Sequence, residues 1–229
     1  QKTKEKLGKN LPGGIFTESL TNFIKKYDSG SPYFAYIGFT EPHDPLRLVN
    51  GGNGNTPKLP YNFKKTHPFN FGQNVHRDEK MIRKPIKKTD LLSNIHKYQS
   101  QITYLDNNVG KIMKSLKRPT VVIFTTDNGI CKGNHGLLGK QNLYQESIHL
   151  PFAIWSNTLG ISGQCAKLGY LTDVYATILG IAGISDSKYQ KETSVNSSKS
   201  LTSDFLGLSS HTFSISIFSQ LSSIRKFGL

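Results

Sequence analysis

Residues 121–129 read Val-Val-Ile-Phe-Thr-Thr-Asp-Asn-Gly, and this stretch decides what kind of fold the chain can form. The β-branched and aromatic residues at its start predict a buried strand. Asp127 and Asn128 follow where that strand should end, so a carboxylate and a carboxamide stand side by side. Residues 133–140 then read Gly-Asn-His-Gly-Leu-Leu-Gly-Lys, which adds a histidine and a lysine. The stretch therefore predicts a polar site at the end of a buried strand.

Helical and apolar segments alternate along the chain on both sides of this stretch. Apolar runs predict strands at residues 33–39, 121–126 and 150–155. Helical spacing of apolar residues predicts three helices: from a cap at Thr17 to the turn at 29–32, over residues 89–116, and from Thr172 to Gly183. This order predicts an α/β fold with a mainly parallel central sheet flanked by helices.

The chain is expected to contain two parts, residues 1–184 and residues 185–229. The first holds the α/β domain, interrupted by a long irregular excursion over residues 46–88. The second begins with a linker rich in Ser, Lys and Asn. Phe213, Ile215 and Ile217 then alternate with serines, which predicts the start of a small, incomplete C-terminal antiparallel sheet.

The chain is strongly basic, with a net charge of +14 over 229 residues. Such a surface favours polyanions, namely nucleic acid, anionic membrane, or sulfated and phosphorylated glycans, although a solvated basic face would have the same composition. The lysines are spread over several segments, and zinc-finger spacing, RNP-like motifs and Arg-rich helices are missing, so we expect no specific nucleic-acid partner. No apolar stretch is long enough to cross a bilayer. The oligomeric state stays open.

Asp127 and Asn128 are the candidate metal ligands. Their neighbouring side-chain oxygens suit a hard divalent cation such as Ca²⁺, and open α/β sheets bind ligands at the carboxyl ends of their strands. The alternative is that Asp-Asn-Gly is simply a favourable turn sequence. Two such ligands make half a calcium site at most, and no second acidic cluster lies at another predicted strand end.

Three cationic or titratable side chains are candidates for contact with an oxyanion such as a sulfate ester. His43 lies between two prolines, so its imidazole could be held in place to donate to an ester oxygen, with Asp44 orienting the ring or capping the turn. Lys140 could pair with a tetrahedral oxyanion, and His135 could line the same cleft. Glu146 could support Lys140. For each of them an ordinary surface or loop role is the alternative.

Together these motifs resemble those of type I sulfatases of the alkaline phosphatase superfamily, over roughly residues 15–184. Residues 32–45 resemble the family's strand and substrate-contacting histidine loop, 124–129 its second metal-binding segment, and 136–148 the segment with its sulfate-binding lysine. Residues 67–69 and 77–79 resemble an insertion found in bacterial sulfatases acting on polysaccharides or related substrates.

The resemblance implies an alkaline phosphatase/sulfatase-like fold and roles for five residues. Asp127 and Asn128 would be Ca²⁺ ligands, His43 and Lys140 catalytic residues, and His43, His135 and Lys140 substrate-binding residues. The family's nucleophile is a formylglycine made within a Cys/Ser-x-Pro-x-Arg motif, and the sequence lacks that motif. We therefore expect the C-terminal portion of a sulfuric ester hydrolase that is inactive by itself, either a truncated piece or a degenerate paralogue.

The sequence leaves several alternatives to a sulfatase acting on a sulfated small molecule or glycan. A phosphodiester or phosphonate ester hydrolase of the same superfamily shares the metal frame, and a non-catalytic pseudoenzyme binding acidic glycans suits the charge. The resemblance favours a periplasmic or secreted protein. Cys131 and Cys165 lack the spacing of a metal-binding pair, and both a disulfide and two free thiols are open.

Overall fold

The structure, a computed structural model, describes residues 11–49, 58, 87–161 and 169–184, which form two compact units. The first unit contains residues 11–49, 58, 87–118 and 130–148. The second contains residues 119–129, 149–161 and 169–184. Most of the predicted excursion at 46–88, including the motifs at 67–69 and 77–79, and the predicted C-terminal part at 185–229 lie outside the described residues.

Most of the predicted helices and strands are present close to the expected positions. The helices are α1 (Pro12–Lys26), α2 (Lys88–Ser115), α3 (Gln145–Ile148) and α4 (Leu171–Ile181). The strands are β1 (Val121–Thr125) and β2 (Phe152–Ser156). No helix among the described residues is both long and apolar enough to cross a membrane.

Helix α1 begins earlier than the sequence predicted. It starts at Pro12, five residues before Thr17, because proline is well suited to the first helical position, where its missing N–H costs no hydrogen bond. Thr17 is therefore inside the helix, and its hydroxyl donates to the Gly13 carbonyl at 2.7 Å. The predicted cap at Thr17 was wrong.

In the first unit, α1 packs against the long helix α2. The apolar stripe predicted for α2 is confirmed, since four of its members are at most 9% exposed: Leu91, Ile95, Ile102 and Ile112. The facing side of α1 buries Gly13 and Thr17. The carboxylate of Glu41, itself 6% exposed, accepts a hydrogen bond from the Gly13 N–H at 3.4 Å. This hydrogen bond attaches Glu41 to the start of α1.

The second unit contains an antiparallel sheet in place of the parallel one that was predicted. Strands β1 and β2 pair from Val121 opposite Ser156 to Thr125 opposite Phe152. They form the only sheet among the described residues, so the prediction of a mainly parallel sheet is wrong for this part of the chain. Apolar runs indicate that a strand is buried, but they do not specify the direction of its partner.

The strand predicted at residues 33–39 is also not found. These residues lie outside any helix or strand, and two of the aromatic side chains expected in the core, Phe34 and Tyr36, are 71% and 87% exposed. A strand exists only where its backbone groups pair with a neighbour, and within the described residues 33–39 have no ladder partner. An apolar sequence was therefore insufficient to define a strand.

The core of the second unit forms around Phe152. Apolar side chains of the sheet, of α4 and of residue 161 pack against it: Ile123, Ile154, Ile161, Val174 and Ile181. Helix α4 begins where the Asp173 carboxylate accepts from the Tyr170 N–H at 2.9 Å. Its last residue is Ile181, and Gly183, the predicted terminator, lies two residues beyond it with a φ of +69°. The Ile184 N–H then donates to the Leu179 carbonyl.

Helix α2 also carries a buried phenol beside a cation. Burial raises the pKa of Tyr98 to about 12. The Lys132 ammonium nitrogen lies 4.7 Å from the centroid of the Tyr98 ring, within cation–π distance. This contact connects α2 to the loop that contains His135 and Lys140.

We expect Gly13→Ala to destabilise the protein by about 1–3 kcal/mol, as overpacking of a buried contact usually does. A Cβ atom at Gly13 would lie 2.7 Å from Glu41 Oε2 and 3.1 Å from Phe39 Cδ1. Gly110→Ala in α2 is the matched control, because its Cβ would meet nothing within 4 Å and should stabilise by about 0.5–1 kcal/mol. Urea unfolding measures both changes, and equal stability of the two variants would contradict the close contact at Gly13.

We expect stability to fall as the pH rises from 10 towards 12. The unfolded chain loses the Tyr98 proton near pH 10 while the folded chain retains it to about pH 12, so the stabilisation is complete below pH 10 and lost above it. Burial also raises the pKa of Tyr104, so part of the slope remains without Tyr98. The free energy of unfolding, measured at several pH values between 10 and 12, should fall less steeply with pH in Tyr98→Phe. In Tyr36→Phe it should fall as steeply as in the unsubstituted protein.

Candidate functional site

The predicted metal ligands follow β1 directly. Asp127 is exposed and Asn128 is half-buried, two and three residues after the strand ends. The Thr126 hydroxyl lies 3.4 Å from both Asp127 Oδ1 and the Asn128 carbonyl oxygen, and Asn128 Nδ2 donates to the Gly129 carbonyl at 3.0 Å. These local bonds restrict the conformation of the turn that holds both side chains.

The chemistry of this turn fits part of a calcium site. A carboxylate and a carboxamide oxygen are ligands that Ca²⁺ prefers, and the amide nitrogen of Asn128 is already used by Gly129, which leaves the amide oxygen as its ligating atom. Ca²⁺ needs six to eight oxygen ligands, more than two residues supply. Among the described residues, no three His, Cys, Asp or Glu side chains come close enough to form a metal centre.

His43 lies at the exposed tip of the segment between Glu41 and Val49. Its backbone N–H donates to the Thr40 carbonyl at 2.9 Å, and its ring Nδ1 lies 3.1 Å from the Asp44 carbonyl oxygen. A carbonyl only accepts, so this contact requires hydrogen on Nδ1 and leaves Nε2 for other partners. Asp44 therefore orients the ring through its backbone oxygen.

Residues 131–139 form a tightly coiled loop. Backbone bonds join Cys131 to Gly139 at 2.9 Å and Gly133 to Leu137 at 2.7 Å. Four of its residues have positive φ angles, and two of them, Lys132 at +48° and His135 at +55°, carry side chains that disfavour this conformation. Such strain persists only where surrounding contacts hold it.

Cys131 connects the coiled loop to the residues that follow it. Its side chain is fully buried and forms no disulfide with a described residue, and its sulfur lies 3.6 Å from Ser147 Oγ and 3.4 Å from Asn142 Nδ2. Asn142 in turn accepts from the Tyr144 N–H at 3.0 Å. Cys131 thus has a packing role that the sequence did not indicate, while Cys165 lies outside the described residues.

His135 is held on two sides. Its ring stacks on Tyr144 with centroids 3.8 Å apart and planes 6° from parallel, and its Nε2 lies 3.3 Å from Glu146 Oε2. Glu146 was expected to support Lys140, and the structure instead pairs it with His135. These contacts give His135 a fixed orientation, and its role in binding substrate stays a prediction.

Lys140 is half-buried and directly follows the coiled loop. Its neighbour Gly139 is fixed by the backbone bond to Cys131. Within residues 11–49, 87–161 and 169–184, no hydrogen bond or ion pair engages the Lys140 ammonium group. A lysine in this position can therefore accept an anionic partner without first breaking another contact.

The candidate residues are divided between the two units. His43, His135 and Lys140 belong to the first unit, and Asp127 and Asn128 belong to the second. Within the first unit, no hydrogen bond joins the three side chains to one another in the part of the chain that the structure describes. Each of the three is held by its own local contacts.

The sequence reasoning missed Ser100 and Gln101 on α2, which bond the segment carrying His43. Ser100 is fully buried and Gln101 is 4% exposed. Residues 96–101 read His-Lys-Tyr-Gln-Ser-Gln, so no sequence signal separates Ser100 and Gln101 from their polar neighbours. Only their burial in the structure marks them, because polar side chains are buried in a helix only where they find hydrogen bonds.

Comparison with known proteins gives a consistent result. The sulfatase family profile matches residues 1–184. Arylsulfatase K from Bos taurus is 26% identical over 196 residues, which is 73% of this chain and 35% of that protein. An arylsulfatase from Clostridium perfringens (strain 13 / Type A) is 24% identical over 75% of this chain and 38% of that protein.

A relative with a named specificity and a solved structure extend the comparison. An endo-4-O-sulfatase from Bacteroides thetaiotaomicron is 26% identical over 70% of this chain and 30% of that protein. The crystal structure of the putative sulfatase yidJ from Bacteroides fragilis matches with a TM-score of 0.59 and 21% identity, over 85% of this chain and 41% of that one. The chain spans about a third of the length of these curated relatives. By the extent of the family match, this chain belongs to the sulfatase family.

Proposed function

We propose that this chain carries part of the active site of an enzyme that hydrolyses sulfate esters. The observation that supports this is the family match over residues 1–184, a range that contains all five candidate residues. The contacts within each unit support it further, because His43 and His135 have fixed orientations and the Lys140 ammonium group is not engaged by the described residues.

The chain's own residues would perform three tasks. Lys140 would bind a sulfate oxygen and offset negative charge that develops on the ester. In its protonated form, His43 would bind the Asp44 carbonyl through Nδ1–H and donate the Nε2 proton to the departing alcohol oxygen, which would leave the neutral imidazole. His135, stacked on Tyr144, would line the sulfate pocket through its imidazole.

Asp127 and Asn128 would hold the calcium ion that the sulfatase family implies. When bound, such an ion draws electron density from a sulfate oxygen as a Lewis acid. The formylglycine nucleophile that the family uses is made in a Cys/Ser-x-Pro-x-Arg motif, which this sequence does not contain. We therefore propose that residues 1–229 supply binding and proton-transfer groups and do not turn over substrate alone.

Sulfated glycans are the substrate class that we propose. A relative that is an endo-4-O-sulfatase supports this class, and the net charge of +14 favours approach of a polyanion. The periplasmic or secreted location suggested by the family resemblance is compatible with extracellular glycans. The same charge supports a second candidate, a non-catalytic protein that binds acidic glycans.

We expect Ca²⁺ to shift the backbone amide NMR signals of residues 126–129 with an affinity weaker than about 10⁻³ M, because two side chains supply only part of its coordination shell. Asp127→Asn removes the carboxylate charge and should abolish the shifts. Asp28→Asn, at another exposed aspartate, is the matched control and should retain them. Absence of saturable shifts at residues 127 and 128 in the unsubstituted protein would contradict their assignment as ligands.

We expect sulfate binding, followed by NMR titration, to weaken about five- to tenfold in Lys140→Ala, because a charge-assisted hydrogen bond is lost. Lys111→Ala, at an exposed lysine on α2, should bind as the unsubstituted protein does. An equal loss in both variants would indicate a general charge effect and contradict a specific role for Lys140.

The same preparation should show no turnover of an aryl sulfate, whereas detectable turnover would contradict the need for a nucleophile outside this sequence. Turnover of a phosphonate ester would instead favour the related superfamily activity. Salt-sensitive heparin binding whose affinity is unchanged in Lys140→Ala would favour the non-catalytic protein that binds acidic glycans.

A further inference from the structure

The segment that carries His43 is buried at both ends and exposed in the middle. Glu41 is 6% exposed and Val49 is 8% exposed, whereas His43 and Asp44 between them are exposed. At its first end, Glu41 accepts from the Gly13 N–H of α1 at 3.4 Å and from the Thr40 hydroxyl at 3.3 Å. The position of His43 therefore depends on what fixes the second end.

Ser100 of α2 fixes that second end through two bonds to one residue. The Val49 N–H donates to Ser100 Oγ at 2.9 Å, and the same hydroxyl donates to the Val49 carbonyl at 3.3 Å. Ser100 is completely buried. A serine hydroxyl has one donor and two acceptor positions, so both backbone groups of Val49 are satisfied by a single side chain.

Gln101 binds the middle of the same segment. Its Nε2 donates to the Pro45 carbonyl at 3.3 Å, two residues after His43. Its Oε1 is buried and has no hydrogen-bond partner among the described residues, which is unfavourable for stability. A methionine or leucine would fill the same space without a buried unpaired oxygen, so core stability alone does not account for glutamine here.

We propose that Gln101, together with Ser100, is a positioning residue that holds the segment 41–49 on α2 and thereby places the His43 imidazole for its substrate. The catalytic role of this contact rests on the proposed function, whereas the attachment of the segment to α2 rests on the hydrogen bonds to Pro45 and Val49. Gln101 acts through the Pro45 backbone and does not itself contact substrate.

The test is Gln101→Met, which keeps the length of the side chain but removes both the donor and the unpaired oxygen. We expect amide hydrogen exchange at His43 and Val49, whose N–H groups are hydrogen-bonded, to rise about three- to tenfold, the factor expected when one net hydrogen bond is lost from a local opening equilibrium. The urea midpoint should stay equal or rise, because the buried unpaired oxygen is gone. The ¹H–¹³C signal of the His43 ring should narrow as its motion increases.

Gln99→Met is the matched control. Gln99 lies on the same helix and its Oε1 is also buried without a partner among the described residues, but its side chain makes no hydrogen bond to the segment 41–49. It should leave hydrogen exchange at His43 and Val49 and the His43 ring signal unchanged. Ser100→Ala should raise exchange at Val49 more strongly than Gln101→Met does, and it should also lower the urea midpoint because Val49 loses both partners.

Unchanged exchange at His43 and Val49 in Gln101→Met would overturn the proposal, and so would an equal rise in Gln99→Met. A uniform loss of protection throughout the chain with a lower urea midpoint would also overturn it, because Gln101 would then be an ordinary structural residue. These readouts need neither calcium nor turnover. If sulfate does not bind but exchange rises in Gln101→Met, the proposed function fails and the positioning contact stands. If sulfate binds but exchange is unchanged in Gln101→Met, the positioning role fails and the proposed function stands.

Discussion

Helix α2 supports three other segments of the first unit, and each contact uses a buried or half-buried side chain of the helix. Its apolar stripe packs against α1, its Ser100 and Gln101 bond the backbone of residues 45–49, and its Tyr98 ring receives the Lys132 ammonium group. Without this helix, the histidine segment would lose the bonds to Pro45 and Val49, and the coiled loop would lose the contact between Lys132 and Tyr98. A long helix is well suited to this role because its backbone bonds are satisfied internally, so its side chains remain available for neighbours.

The two loops that carry candidate residues are constrained in different ways. The segment with His43 is held at its ends by long-range hydrogen bonds to α1 and α2. The loop at 131–139 is held by its own backbone bonds and by the buried Cys131 thiol, and it places two side-chain-bearing residues at positive φ angles. Strain of this kind often accompanies functional loops, because the chain accepts an unfavourable backbone geometry in order to direct a side chain.

Membership of the sulfatase family gives these local constraints a chemical meaning. A sulfate ester is a tetrahedral anion, and Lys140 and His43 are suited to its oxygens by charge and by proton donation. The carboxylate and amide after β1 suit a hard cation but supply too few oxygens to fill its coordination shell. The chain spans about a third of the length of its curated relatives.

The sequence by itself determined helices α1, α2 and α4, the two strands of the second unit and the residue types that suit a sulfate ester, whereas it did not indicate the short helix α3. Periodicity and a few motifs were sufficient for these, because they depend on neighbours close in the chain. Only the tertiary structure decided that the two strands run antiparallel, that residues 33–39 do not pair among the described residues, and that Glu146 contacts His135. The bond between Ser100 and Val49, 51 residues apart, also belongs to this second group. Pairing direction and long-range hydrogen bonds depend on which segments meet in space, and local sequence does not encode that.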